Sequence, residues 1–376
     1  MHTDRINAAL RAVESLELDA AILFDPAAQF YFIGHDSFAG VNTPQALILS
    51  PHLPRPRVVI WAADAPMLPE GGAGLDIRPY HFGIDSPADA LADVLAQHLP
   101  KNARFGWDAQ SAALNHALAS EIIAACGTGL DDISGPIARL RAFKTPQEIA
   151  LMRNAGRMAE QGLQAFRQSA RAGVTEHRVA SDIEAALRQA GSDYWAVPVE
   201  MASGDRAHHV HGTPSERVLE DGDLVHVEFG AVHNRYHAVG IQTLSVGEPS
   251  SQASWYYDIA RRCLLAGLTH ARPGMSAAEI EAPALDILRA EGLPDTFAMR
   301  FGYSVGIGYP PTWLEPFGIT RTNKEPVQEG MTFVMHACLL DADQAIGVLV
   351  GGTYAMTDKG FVQLAGAGDC ELFHAR

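Results

Sequence analysis

From Thr145 to its end, the chain twice writes the same order of elements: two helices, then strands. Thr145 suits a helix N-cap, Pro146 the first helical position, and Glu148 completes a capping box, so a long helix is expected to about residue 170. A second helix is expected over about 175–190. Residues 224–229 (LVHVEF) then alternate apolar and polar, and a turn at His233, Asn234 and Arg235 leads into 236–243 (YHAVGIQT), which reads as a hairpin. Helical spacing returns at 252–271 and 276–291, and strands follow at 332–339, 347–354 and 361–364. Helix pairs followed by strands bury both only when helices pack on one side of an antiparallel sheet, which is an α+β layout.

The first 140 residues read differently. Ile6, Leu10, Val13 and Leu16 fall at helical spacing, and 19–24, 46–49, 58–61 and 103–107 read as short buried strands. Ser86 and Pro87 open a helix over 86–98, and another is expected near 110–125. The expected organisation is a small α/β domain over 1–140 and a larger α+β domain over 141–376, with no solenoid-length repeat.

Charge limits the partners. With 28 basic and 44 acidic side chains the net charge is −16, which disfavours nucleic acid and anionic membranes. No apolar run approaches the length of a membrane span and no secretory signal is visible, so a cytoplasmic location is expected. Cys126, Cys263, Cys338 and Cys370 are far apart, which excludes a local zinc ribbon or a thioredoxin-like pair; reduced, mostly buried thiols are expected.

Some residues stand out by their chemistry. His211 ends a histidine-rich stretch with His208 and His209; it reads as a proton shuttle, a solvated loop residue or an adventitious metal site. Glu228 lies mid-strand between Val227 and Phe229, so it either faces water from an edge or serves as base, nucleophile or cation anchor. Tyr236 and His237 follow the hairpin turn. Tyr303, Tyr309 and Trp313 cluster with glycines and prolines, as in an aromatic pocket or in plain loop packing. Arg300 suits a substrate carboxylate, and His336 is either a substrate donor or a core histidine.

The motifs at 144–153 (KTPQEIALMR), 203–206 (SGDR) with His211, 222–225 (GDLV), 229–230 (FG) and 330–333 (GMTF) resemble, in order and spacing, the creatinase and aminopeptidase P family. The resemblance implies a pita-bread catalytic domain behind a creatinase-like α/β N-terminal domain. It implies that His211 and Glu228 are catalytic. It also implies a homodimer in which an N-terminal loop, here around Phe38, completes the partner's site.

Metallopeptidases of that family hold two metal ions with two Asp, one His and two Glu. The matching positions here are Glu228, Val239, Tyr303, His336 and Gly351 or Gly352, so the resemblance implies no metal and no cofactor. Residues 235–237 (RYH), 300–313 (RFGYSVGIGYPPTW), Glu315, 34–36 (GHD) and 43–45 (TPQ) resemble the ectoine hydrolase branch more closely, with departures at Gln242 and Gly351–Gly352, while the second catalytic carboxylate of creatinase would fall at Ile241. The expectation is metal-independent hydrolysis of a non-peptide C–N bond in a small zwitterion, with Phe38, Tyr236, His237, Arg300, Tyr303, Tyr309, Trp313 and His336 binding the substrate. A biosynthetic enzyme of the same fold, or a binding protein without catalysis, are the alternatives.

Overall fold

The computed structural model describes residues 2–126, 130–294, 300–367 and 371–375. It divides into two units, Met1–Arg141 with Tyr309–Pro311, and Ala142–Gly308 with Thr312–Arg376.

The first unit contains α1 (His2–Ser15), β1 (Ala20–Leu23), α2 (Pro26–Ile33), β2 (Ala46–Leu49), β3 (Arg57–Trp61), β4 (Asp76–Tyr80), α3 (Pro87–His98), β5 (Phe105–Trp107), α4 (His116–Cys126), β6 (Leu130–Asp132) and α5 (Ser134–Ala142). Its sheet runs β4-β3-β2-β1-β5-β6, mixed in direction. The apolar runs of β1 and β2 are buried along their whole length, as strands covered on both faces must be. Helix α2 escapes a periodicity search because nearly all of its residues are buried, leaving no polar stripe. Its start is nevertheless written locally: Asp25 accepts from the N–H groups of Ala27 and Ala28, with Pro26 next to it. Helix α4 begins at His116, and residues 110–115 before it contain turns.

The second unit holds α6 (Pro146–Ser169), α7 (Glu176–Gln189), β7 (Glu200–Ser203), β8 (Leu224–His233), β9 (Tyr236–Val246), α8 (Ser251–His270), α9 (Ala277–Ala290), β10 (Gly302–Tyr309), β11 (Thr312–Ile319), β12 (Thr332–Asp341), β13 (Ile346–Thr357), β14 (Gly360–Gly366) and β15 (Phe373–Ala375). The capping boxes at Thr145 and Ser276 are formed. The large sheet runs β11-β10-β12-β13-β9-β8-β7, and β10 also pairs with β9, which curls the sheet. Residues 302–319, expected as an aromatic and glycine-rich cluster, are two strands.

Alternation decides which face each side chain takes. Val225, Val227, Phe229 and Ala231 of β8 pack into one cluster with Leu163, Phe166, Ile183 and Leu187 of α6 and α7. Phe333, Met335, Ala337 and Leu339 of β12 pack with Ile259, Leu264, Ile280 and Leu288 of α8 and α9. The opposite parity, His226 and Glu228 on β8 and His336 and Cys338 on β12, points away from the helices. The helical layer therefore leaves a second, more polar face.

Among the described residues no helix is long and apolar enough to cross a membrane. Cys126, Cys263 and Cys338 are unbridged, the last two buried; Cys370 lies outside the described residues.

Helix α6 approaches β14 so closely that a Cβ on Gly156 would stand 2.0 Å from the Leu364 carbonyl oxygen. Gly156→Ala should therefore cost about 1–3 kcal/mol through overpacking. Thermal denaturation should show a melting temperature several degrees lower; an unchanged value would contradict this packing.

Candidate active site

One row of directly paired residues crosses the polar face. Glu200 on β7 pairs with Glu228 on β8, Glu228 with Ile241 on β9, Ile241 with Gly351 on β13, and Gly351 with His336 on β12. Paired residues share a face, so this row carries two carboxylates at one end and an imidazole at the other. Its floor is bare at Gly351, where a Cβ would meet the Met335 carbonyl oxygen at 2.5 Å.

Above the row, Tyr303 of β10 bridges the ends. Its hydroxyl donates to Glu228 Oε1 at 2.6 Å, and its ring centroid lies 5.8 Å from that of His336. The Trp313 indole N–H donates to the Tyr303 oxygen at 3.0 Å. The Arg300 guanidinium lies 5.6 Å from the centre of the Tyr303 ring.

Burial governs the electrostatics. It pushes the Glu228 carboxyl above its ordinary range, against the Tyr303 hydrogen bond and the Arg300 charge. Burial and the neighbouring Glu228 raise Glu200 to about 8. Tyr303 is pushed well above 10 by burial and the Glu228 charge, so its phenol stays protonated and remains a donor. His336 is lowered to about 4 by burial, Arg300 and His211, and is therefore neutral at pH 7. Its Nε2 is buried with no hydrogen-bond partner among the described residues.

The structure thus brings together Glu228, Arg300, Tyr303, Trp313 and His336. His211 is exposed in a turn, close enough for its charge to act on His336. Tyr236 donates from its hydroxyl to Glu148 Oε1 at 2.6 Å, tying β9 to the start of α6. His237 is fully buried: its Nε2 accepts from the Ala196 N–H at 3.2 Å, and burial together with Arg235 lowers it to about 3. Phe38 and Tyr309, the last residue of β10, fall in the first unit, Phe38 largely exposed and Tyr309 donating to Asp36 Oδ1 at 2.9 Å. Sequence reading missed Glu200. The available signal was a carboxylate beginning the short strand that runs into the motif at 203–206.

The metal positions implied by the resemblance do not fit a two-ion centre. Val239 is buried and has no donor atom, Tyr303 is a protonated phenol bound to Glu228, and Gly351 has no side chain and no room for one. Among the described residues no group of three or more His, Cys, Asp or Glu side chains is arranged to hold a metal ion.

Comparison with known proteins follows the fold. The model of metallopeptidase family M24 matches residues 150–364, and that of the creatinase/prolidase N-terminal domain matches residues 5–143. A Xaa-Pro dipeptidase of Pyrococcus furiosus is 28% identical over 235 residues, 62% of this chain and 65% of the relative. An uncharacterized peptidase of Bacillus subtilis is 30% identical over 228 residues, 61% of this chain and 63% of the relative. The chain spans just under two thirds of the length of these curated relatives. The dipeptidase PepE of Mycobacterium ulcerans has 25% identity and a TM-score of 0.86, covering 100% of this chain and 98% of that one. A prolidase from Thermococcus sibiricus has 21% identity and a TM-score of 0.89, covering 100% of this chain and 99% of that one; this likeness shows the shared fold.

These comparisons correct the expected reaction. Metal-independent hydrolysis of a non-peptide C–N bond, and the ectoine hydrolase-like assignment, do not stand: the matched family is a metallopeptidase family, and relatives with a named activity are Xaa-Pro dipeptidases. The motifs at 300–313 that suggested ectoine hydrolase include the strand carrying Tyr303 and the start of β11 with Trp313.

A carboxyl with a raised folded pKa binds its proton more tightly when folded than when unfolded. Its contribution is complete below the unfolded value and is lost as pH rises through the folded value. For Glu200 that window runs from its ordinary 4.5 to about 8. Glu200→Gln should therefore flatten the fall of melting temperature across this window, and parallel curves for both proteins would contradict the raised proton affinity that burial and Glu228 give Glu200.

Proposed function

We propose, from the premise that the chain belongs to metallopeptidase family M24, that it hydrolyses the amide bond of a small, dipeptide-sized substrate on the polar face centred on Glu228. The observation that carries this reading is a buried carboxylate fixed by a tyrosine hydroxyl, with a cation and a neutral histidine beside it. The names of the relatives support the substrate class.

Amide hydrolysis needs a proton removed from the attacking water and a proton supplied to the departing nitrogen. Burial makes Glu228 a stronger base than an exposed carboxylate, and the Tyr303 hydrogen bond holds it in one orientation. Water gives its proton to Glu228 as its oxygen bonds to the carbonyl carbon. Glu228 then returns that proton to the amide nitrogen as the C–N bond breaks, releasing an amine and a carboxylate. Trp313 keeps the Tyr303 hydroxyl aimed at Glu228 by donating to its oxygen. Arg300 is the cation available to a substrate carboxylate. A cytoplasmic location is part of the same proposal.

A panel of dipeptides including Xaa-Pro compounds, followed by chromatographic detection of released amino acids, tests this. Glu228→Gln should lose about 10²–10⁴ in rate, as expected for a missing general acid–base, while keeping its fold. Absence of any cleaved dipeptide, or near-normal turnover by Glu228→Gln, would defeat the reading.

A homodimer also belongs to the proposal, supported by the resemblance to creatinase-like enzymes and by the exposed Phe38. Light scattering should give about twice 40.4 kDa, and an active monomer would contradict it.

A further inference from the structure

Glu200 has no role in the acid–base step, yet it stands directly opposite Glu228 on the same face of the sheet. Neighbouring strands lie about 4.8 Å apart, so two carboxyl groups are held side by side in a partly buried place, where both ionise readily only if a cation joins them. Such a pair calls for a cation between or beside its members. A second observation points to a ligand on the same face of the sheet. His336, only 3% exposed, leaves Nε2 without a partner among the described residues. It sits on the same cross-sheet row as the two carboxylates, and its ring lies beside the tyrosine that binds Glu228. A buried polar atom left without a partner is costly, and a bound molecule that supplies one removes the cost.

We infer that Glu200 is the specificity residue for the substrate's protonated α-amino group, and that anchoring this group delivers the adjoining carbonyl to Glu228. The inference rests on the hydrolase reading for its substrate class. Covalent geometry explains why the amine must be the α-amino group. Bonds of about 1.46 and 1.52 Å put the carbonyl carbon about 2.5 Å from that nitrogen. An ammonium on Glu200 therefore brings the scissile carbonyl beside the neighbouring carboxylate one strand away. A side-chain amine several bonds further out would carry the carbonyl past Glu228.

The test is a binding cycle that does not depend on turnover. The probes are a ketomethylene isostere of alanyl-proline, which has no scissile C–N bond, and its N-acetylated form, each titrated by calorimetry. With wild-type protein, N-acetylation should weaken binding about 10- to 100-fold, the range for a hydrogen bond to a charged group. Glu200→Gln should weaken the free-amine isostere by a similar factor and change the acetylated one by less than about twofold, so that the two losses are not additive. Glu200→Asp, which keeps the charge, should recover part of the affinity, and melting temperatures of both variants would establish that they fold. Equal binding of the two isosteres, equal weakening of both by Glu200→Gln, or no binding of either would overturn the inference. So would Mn²⁺ titrated alone binding wild type and being lost in Glu200→Gln, which would make the cradle a metal site. Glu200-dependent binding without cleavage of alanyl-proline would instead leave the anchor standing and defeat the hydrolase reading.

Discussion

A carboxylate on a buried sheet face has to be held by something, and the arrangement around Glu228 follows from that need. An unpartnered buried charge is too costly to keep, so the chain supplies a phenol hydroxyl at 2.6 Å and a guanidinium within electrostatic reach. The phenol in turn is steadied by an indole N–H. Each of these donors comes from a segment distant in sequence from β8. Only a curled sheet, with β10 paired to both β12 and β9, brings them over the same row.

That sheet is possible because its other face is thoroughly apolar. The alternating residues of β8 and β12 that face the helices form the two large clusters of the second unit, and glycines permit close approach where helix and strand meet. Burial of one parity fixes the register of every strand, and register is what lines up Glu200, Glu228, Ile241, Gly351 and His336. The same close packing closes the family's metal positions to donors. Gly351 has no space for a carboxylate, and Val239 belongs to the buried wall.

Much of this architecture was legible in the chain itself. The capping box at Thr145, the hairpin after residue 224 and the helix pairs are local signals, and they formed where expected. Helix α2 was hidden because burial on all sides removes periodicity. Strands β10 and β11 were obscured by glycines and prolines that usually mark loops. The site was legible only in part. Glu228 was conspicuous as a charge in an apolar strand, whereas Glu200 acquires meaning only through cross-strand pairing, which no local pattern encodes. His237 and Tyr236 looked chemically suited to a ligand, but each is engaged by neighbouring protein atoms. The reaction itself was misjudged, because likeness in several short motifs, together with the lost metal ligands, was given more weight than membership of a metallopeptidase family.

The most direct measurement is a crystal structure with the alanyl-proline ketomethylene isostere bound. The account requires density on the polar face, with the ligand's carbonyl beside Glu228, its amine on Glu200, and the Tyr303–Glu228 and Trp313–Tyr303 hydrogen bonds intact. A ligand bound elsewhere, or bound with its amine away from Glu200 and Tyr303 turned away from Glu228, would contradict it.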